Sequence, residues 1–341
     1  MNDVVAARLR SVVRAAAGWS AGSRYAAVLL LVVGIAVYFS AAEGGKFVSS
    51  ANIENLLASV SILWVVSMGM TFAVLTGGID LSVGAVVALS GLILSKLFNG
   101  VGVPALLAVV LTVALGALIG GAVNGTLIGR FGLSFFVVTL GTASLYQGIV
   151  SIWSQTKTSY IASGLVDGIG FGSALGITTP IWIMVGVFVA AFAVLRWTYF
   201  GRDVYAVGGN ADAARLSGIN VTRTIVAVYA IVGLCAAFAG VIQDARLGAS
   251  SPIVGADIPL AAAAAVLLGG TSFVGGIGGV TGTAVGVLFI GILQNGLAIR
   301  GVSSFWQQVV TGVILIFAVS IDRMQQNPSR FRIRRTKEET A

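Results

Sequence analysis

Ten apolar stretches recur along this chain, most of them near the 20 or so residues a helix needs to cross the roughly 30 Å hydrocarbon layer of a bilayer. They are Tyr25–Ala42, Leu56–Leu75, Leu81–Leu97, Val103–Val123 and Leu133–Trp153, then Pro180–Trp197, Thr224–Ala245, Leu260–Val274, Gly282–Ile299 and Phe305–Ile321. Inside a bilayer each backbone N–H and C=O has to be satisfied without water, so runs of this kind form helices. Only 9% of the 341 residues are charged, against about 25% in a soluble domain. The expected fold is an all-α integral membrane protein of about ten transmembrane helices, with Gly-broken helices near the core. The 46 glycines fit that class, because small residues let membrane helices approach closely.

Orientation follows from the basic residues, which concentrate in cytoplasmic loops. With the N-terminus inside and ten crossings, the inside receives Arg8, Arg10, Arg14 and Arg24, then Arg130, then Arg196, Arg202, Arg215 and Arg223. The tail adds Arg323, Arg330, Arg332, Arg334, Arg335 and Lys337, so both termini are cytoplasmic. Of the 20 basic residues only Lys46, Lys96, Lys157, Arg246 and Arg300 fall outside. One miscounted helix would reverse every later loop and scramble that division.

The organisation read from this is a cytoplasmic or interfacial segment 1–24, a transmembrane domain 25–322 with a long cytoplasmic loop at 198–223, and a basic cytoplasmic tail 323–341. Val4, Val5, Leu9, Val12 and Val13 beside arginines make the first segment amphipathic, able to lie along the inner surface. The same start loosely resembles a secretory signal ending at Ser40-Ala41-Ala42, but its apolar run is long enough to span. Orientation, rather than nucleic-acid binding, accounts for the net charge of +8. With no His and a single Cys, Cys235, a His proton relay, a His metal site and an intrachain disulfide are excluded.

The loop at 198–223 carries the most specific pattern. Asn210 is placed to cap a short helix, Asp212 sits in its positive first turn, and Gly218 supplies a left-handed exit. The stretch Gly201-Arg-Asp-Val-Tyr-Ala-Val-Gly-Gly-Asn210, with Ala214-Arg-Leu-Ser-Gly-Ile-Asn220, resembles the coupling loop of the ribose and simple-sugar permeases of bacterial ABC importers. Asp212, Ala213, Ala214 and Gly218 meet that family's acidic-Ala-Ala…Gly pattern, while the later Pro-containing half of the superfamily motif is missing. The resemblance implies that Arg202, Gly208, Gly209, Asn210, Asp212, Ala213, Ala214, Gly218 and Ile219 dock on an ATPase subunit and transmit its closing and opening.

Leu75-Thr-Gly-Gly-Ile-Asp-Leu-Ser-Val-Gly84 is similar to the same family. Gly77 and Gly78 break a helix there, and Asp80 is placed to cap the next one through amides near Ser82 and Val83. Irregular backbone at membrane depth is tolerated only inside protein or against a water-filled cavity. An acid at such a place is a functional candidate by default. Substrate contact and a structural cap compete as roles for Asp80, with the cap favoured.

A third Gly-rich stretch, Leu267–Gly282, also resembles the family. Ile277 and Gly278 stand where members usually carry a Lys among the last glycines, and Pro259 and Leu260 replace a polar pattern with an acid before the span. Its approach to a dinucleotide fingerprint fails, because Thr281 follows Gly276-x-Gly278 and no strand precedes it. Ala73-Val-Leu-Thr-Gly-Gly78 is echoed by Ala265-Val-Leu-Leu-Gly-Gly270, as in transporters built from two halves. Gly291-Ile-Leu-Gln-Asn-Gly-Leu297 and Gly301-Val-Ser-Ser-Phe-Trp-Gln-Gln308 carry the resemblance through the last two spans.

The chain contains no GxxxxGK[ST] phosphate loop and no series of intramembrane acids and bases for proton coupling. The resemblance therefore implies a transport subunit rather than an enzyme, with no cofactor of its own: ATP and Mg bind a separate ATPase subunit. The other implied partners are an extracytoplasmic substrate-binding protein, a second permease copy and the lipid of a bacterial inner membrane. The implied substrate is a ribose-like monosaccharide or related polyol. The alternatives are a sister-branch permease for nucleosides or branched-chain amino acids, and an ATP-independent secondary transporter.

Candidates for the pathway or its helix breaks are Thr76, Gly77, Gly78, Asp80, Ser82, Gly84, Asn124, Gln147, Gln294 and Asn295, with Ser134, Thr139 and Thr142 beside them. The competing role for each polar member is an interhelical hydrogen bond, worth about 0.6 kcal/mol on average.

Overall fold

The computed structural model describes residues 21–326, with side chains for 28–323, and it is all-α apart from short two-residue strands. The main helices are α1 (Ala21–Glu43), α2 (Ser50–Leu75), α3 (Val83–Ser95), α4 (Ala105–Leu118), α5 (Phe135–Ser154) and α6 (Thr179–Trp197). There follow α7 (Tyr199–Gly209), α8 (Ala211–Leu216), α9 (Val221–Leu247), α10 (Ile258–Leu268), α11 (Val280–Ile299) and α12 (Ser304–Gln326). Eight helical segments among the described residues are long and apolar enough to cross a membrane. The expected interfacial helix before residue 21 and the basic tail beyond 326 lie outside the described residues.

Charge patterning and geometry agree on two ends. At one end the 76–82 loop, α7 and the 269–279 loop meet, with Asp322 of α12 reaching Phe273. At the other, Ser159–Tyr160 pairs antiparallel with Ala249–Ser250, and Arg300 bonds Tyr38 and Glu43. These are the groups of loops that the basic residues assigned to the inside and the outside.

The core is built on α2, α3, α9 and α10, where long runs such as Val65–Leu75 and Ala261–Leu267 are buried. Small residues permit this. Gly116 of α4 and Gly233 of α9 lie face to face, and a Cβ on either would strike the other helix's backbone. Just beyond that crossing α4 passes into a π-helical stretch, Ile119–Gly125. Its Gly120 lies against the carbonyl of Tyr229. On the periphery α1, α4, α5 and α12 expose Leu30, Val110, Val137 and Phe317, the apolar faces that lipid covers.

One expected span changes character. Leu260–Val274 is helical only as α10, whose 11 residues make about 16 Å at 1.5 Å per residue. That is half a bilayer, so α10 is a half-helix. The segment before it, 251–257, is irregular, with Pro252 and Gly255 buried and Ile253, Ala256 and Asp257 exposed. Gly255, with φ +90°, lies backbone to backbone against Gly84 near the start of α3, and Gln147 Nε2 holds the Pro252 carbonyl at 2.9 Å. An apolar run of ordinary length cannot distinguish this arrangement from a full crossing.

Candidate functional site

The long loop at 198–223 folds as two short helices. In α7, Val204 and Val207 turn inward, and Arg202 stacks over the Tyr199 ring at 4.1 Å. The Asn210 side chain then caps α8, its Oδ1 accepting from the Ala213 amide at 2.9 Å. The exposed pair Arg215–Asp212, 3.3 Å apart, adds little, since such surface pairs contribute about 0–1 kcal/mol. Gly218 takes φ +87°. The amides of Gly218 and Ile219 bond the carbonyls of Arg215 and Ala214, the paired bonds of a Schellman C-cap. Ala213 and Ala214 keep α8 slim, with Ala214 buried against the body.

Beside them stands a residue the motif did not flag. Leu216 is 91% exposed, an apolar knob at the end of α8. Only its unusual exposure marks it, and a leucine among alanines reads as core in the sequence.

Asn210→Ala is expected to remove about 1 kcal/mol of local helix stability. Faster hydrogen exchange at the Ala213 amide, with the spans unchanged, is the readout.

The same C-cap recurs at two other places. After α2, Gly77 (φ +81°) and Gly78 donate to Val74 and Ala73; after α10, Gly270 (φ +85°) and Thr271 donate to Leu267 and Val266. The sequence echo between these helices therefore corresponds to one shared ending, offset by one residue from the alignment that the letters give.

All three motifs converge on one glycine junction. The Gly276 amide donates to the Leu75 carbonyl at 2.8 Å. Gly208 of α7 packs onto both: a Cβ there would overlap the Leu75 oxygen and come within 2.6 Å of the Gly276 nitrogen. Gly275 and Gly276, at φ +96° and +71°, fold the loop against Gly208 and Gly209. Tyr205 adds a side-chain tie, its hydroxyl donating to the Gly278 carbonyl at 2.9 Å. Asp322 Oδ2 accepts from the Phe273 amide at 3.1 Å on the other flank. Helix α7 thus touches both helix breaks through backbone, with no intervening side chains to give way.

Behind the junction, Asp80 is 2% exposed. Its Oδ1 accepts from the Ser82 amide at 2.8 Å and from the Ser82 hydroxyl, while Asn124 Nδ2 reaches Asp80 Oδ2 at 3.1 Å and Ser82 Oγ at 2.9 Å. Both carboxylate oxygens are engaged within the protein, and Asn124 comes from the π-helical stretch that packs on α9. Asp80 therefore holds the turn into α3 to the neighbouring helix. Thr76 bonds back to Ala73 at 2.8 Å, and the Tyr229 hydroxyl is pressed on Gly78.

The other polar candidates divide. Asn295 pairs reciprocally with Asn52, at 3.1 and 3.0 Å, which ties α11 to α2, and it also lines a cavity of about 260 Å³ with Gln294. Thr139 and Thr142 are buried on α5, where Thr142 bonds the Val138 carbonyl, and Ser134 begins that helix at the surface. Gln147 and Gly84 instead line a cavity of about 530 Å³ on one side of segment 251–257. Gln294 lines further cavities on the other side. Of the pathway candidates, Gly84, Gln147 and Gln294 thus border segment 251–257, while Thr76, Gly77, Gly78, Asp80, Ser82 and Asn124 lie at or behind the junction.

Comparison with known proteins gives a consistent result. Residues 52–319 match the model of a family described as "Branched-chain amino acid transport system / permease component". The ribose import permease protein RbsC of Escherichia coli (strain K12) is 42% identical over 285 residues, 82% of this chain and 88% of that protein. The RbsC of Bacillus subtilis (strain 168) is 44% identical over 283 residues, covering 82% and 86%. The D-allose transport system permease protein AlsC of Escherichia coli (strain K12) is 37% identical over 308 residues, covering 88% and 92%. No solved structure matches the chain.

Proposed function

The chain belongs to the branched-chain amino acid transport system / permease component family, and from that premise we propose how it works: as the membrane-spanning subunit of a sugar ABC importer. It is a multi-pass transport subunit, and its relatives by name carry ribose and D-allose, which favours a sugar over the amino acids in the family's description. A binding protein delivers the sugar to the outer face, and two permease copies enclose the path in a bacterial inner membrane. ATP and Mg are bound by a partner ATPase, not by this chain.

The observation that carries the mechanism is the glycine junction. An ATPase groove that grips α8, with Leu216 as its apolar contact, would move α7, and α7 cannot move without Leu75 and Gly276. These two residues sit at the inner ends of two hairpins, α2–α3 and α10–α11. The driving free energy is the difference in ATPase binding between the two arrangements.

Uptake into vesicles carrying the chain with its ATPase and binding protein tests the reading. Sugar uptake should require ATP and vanish when Gly218→Trp is combined with Asp212→Lys, with membrane insertion unaltered. Uptake that persists without ATP or without the partner subunits would refute it.

A further inference from the structure

We propose that Asp257, together with Gln243 and Gln294, forms the station where a neutral polyhydroxylated solute is handed through the middle of the membrane. The inference rests on the sugar-permease reading and adds the contact site that reading lacks. Asp257 is not among the motif residues, and the stretch around it departs from the family pattern at Pro259 and Leu260.

Depth comes first. Asp257 sits at the outer end of α10, whose 11 residues descend to the junction end of the molecule. It therefore lies about 16 Å from that end, near the middle of a layer about 30 Å thick. The cavity beside it reaches from this level outward: it is lined by Ile62 and Leu63, halfway along α2, and by Gln243, four residues from the outer end of α9. The segment is fixed at this level by Gly255 on Gly84 and by Gln147 on the Pro252 carbonyl.

Exposure comes second. Asp257 is exposed on the single chain, although it lies at mid-membrane. Among the described residues its carboxylate makes no hydrogen bond and no ion pair, and it does not cap α10. A carboxylate is expensive to hold against lipid, and at this depth such groups face a bundle interior or a water-filled cavity. Asp80, the other mid-chain acid at a helix break, is fully engaged by Ser82 and Asn124. Asp257 is free.

The surroundings supply the ligand chemistry. Asp257, Gln243 and Gln294 come from three separate elements and line one cavity of about 310 Å³, a size typical of small-molecule sites. Gln243 makes no side-chain hydrogen bond among the described residues, and Gln294 only a long one, 3.4 Å to Thr311 Oγ1. A second cavity of about 290 Å³ continues past Asp257 and Gln294 to Gln307 and Gln308 of α12. Amides donate and accept while a carboxylate accepts only, so the set matches hydroxyl groups, which do both. Anionic solutes would be repelled by Asp257.

The test uses proteoliposomes holding the permease with its ATPase and binding protein, with ribose, D-allose and xylose as probes. Asp257→Asn should lower ATP-driven uptake by about tenfold, the loss of a charged hydrogen-bond acceptor, while ATP hydrolysis continues. Separately, a membrane-impermeant thiol reagent should modify Asp257→Cys at least about tenfold faster than Val110→Cys on the lipid face of α4, because thiolates form only where water reaches. Loading with sugar should slow that modification, and the native Cys235 is buried. Uptake by Asp257→Asn close to the unaltered protein, or an Asp257→Cys as inert as Val110→Cys, overturns the proposal and leaves the importer reading standing. Lack of ATP-driven sugar uptake before any substitution removes that reading and the proposal with it.

Discussion

Gly208→Ala should uncouple transport: sugar uptake falls about tenfold or more while ATP hydrolysis persists, as expected when a packed contact loses 1–3 kcal/mol. The added methyl group has nowhere to go. It would overlap the Leu75 carbonyl oxygen and crowd the Gly276 nitrogen, and both are backbone atoms that no rotamer change can move. The junction must open, which separates α7 from the two helix breaks it touches. Gly209→Ala is the control, since a Cβ there meets nothing within 4 Å and uptake should stay within about twofold. The pair differ by one position and one methyl group each, so differences in expression or charge cannot explain a divergence. Equal behaviour of the two variants would mean that the contact does not transmit movement.

The sequence makes much of this site legible, because its parts have local chemistry. The Asn210 cap, the left-handed exit at Gly218, the helix break at Gly77 and the hold of Asp80 on the Ser82 amide are all set by residues within a few positions of one another. What the letters do not carry is which breaks meet. Gly208, Leu75 and Gly276 are far apart in the chain, and only the packing of α7 brings them together. The half-helix α10 is hidden for a different reason. Hydropathy measures burial, and Ala261–Leu267 is as buried in the core as a spanning helix is in lipid. Asn295 shows the same limit in polar residues: an amide on a membrane helix reads equally well as pathway or as glue, and Asn295 both pairs with Asn52 and lines a cavity with Gln294. Asp257 is the converse case, an acid in an unremarkable loop whose interest comes wholly from its depth.

Gly233→Val should be the most destabilising single change in the helical body, costing about 3 kcal/mol as an overpacked contact. α9 is the longest helix among the described residues, 27 residues, and it joins the loop at 198–223 at one end to segment 251–257 at the other. At its middle a Cβ on Gly233 would overlap the Gly116 carbonyl and lie within 3.0 Å of Gly120 Cα. No apolar drive holds helices together in lipid, so a crossing that loses close packing has little in reserve. Unfolding of the purified protein in detergent would measure the loss. Gly141→Val on α5, where a Cβ meets nothing within 4 Å, should change stability by no more than about 0.5 kcal/mol. Adding Gly116→Val to Gly233→Val should cost much less than it does alone, because the two residues share one contact. Full additivity would mean that α4 and α9 do not depend on this crossing.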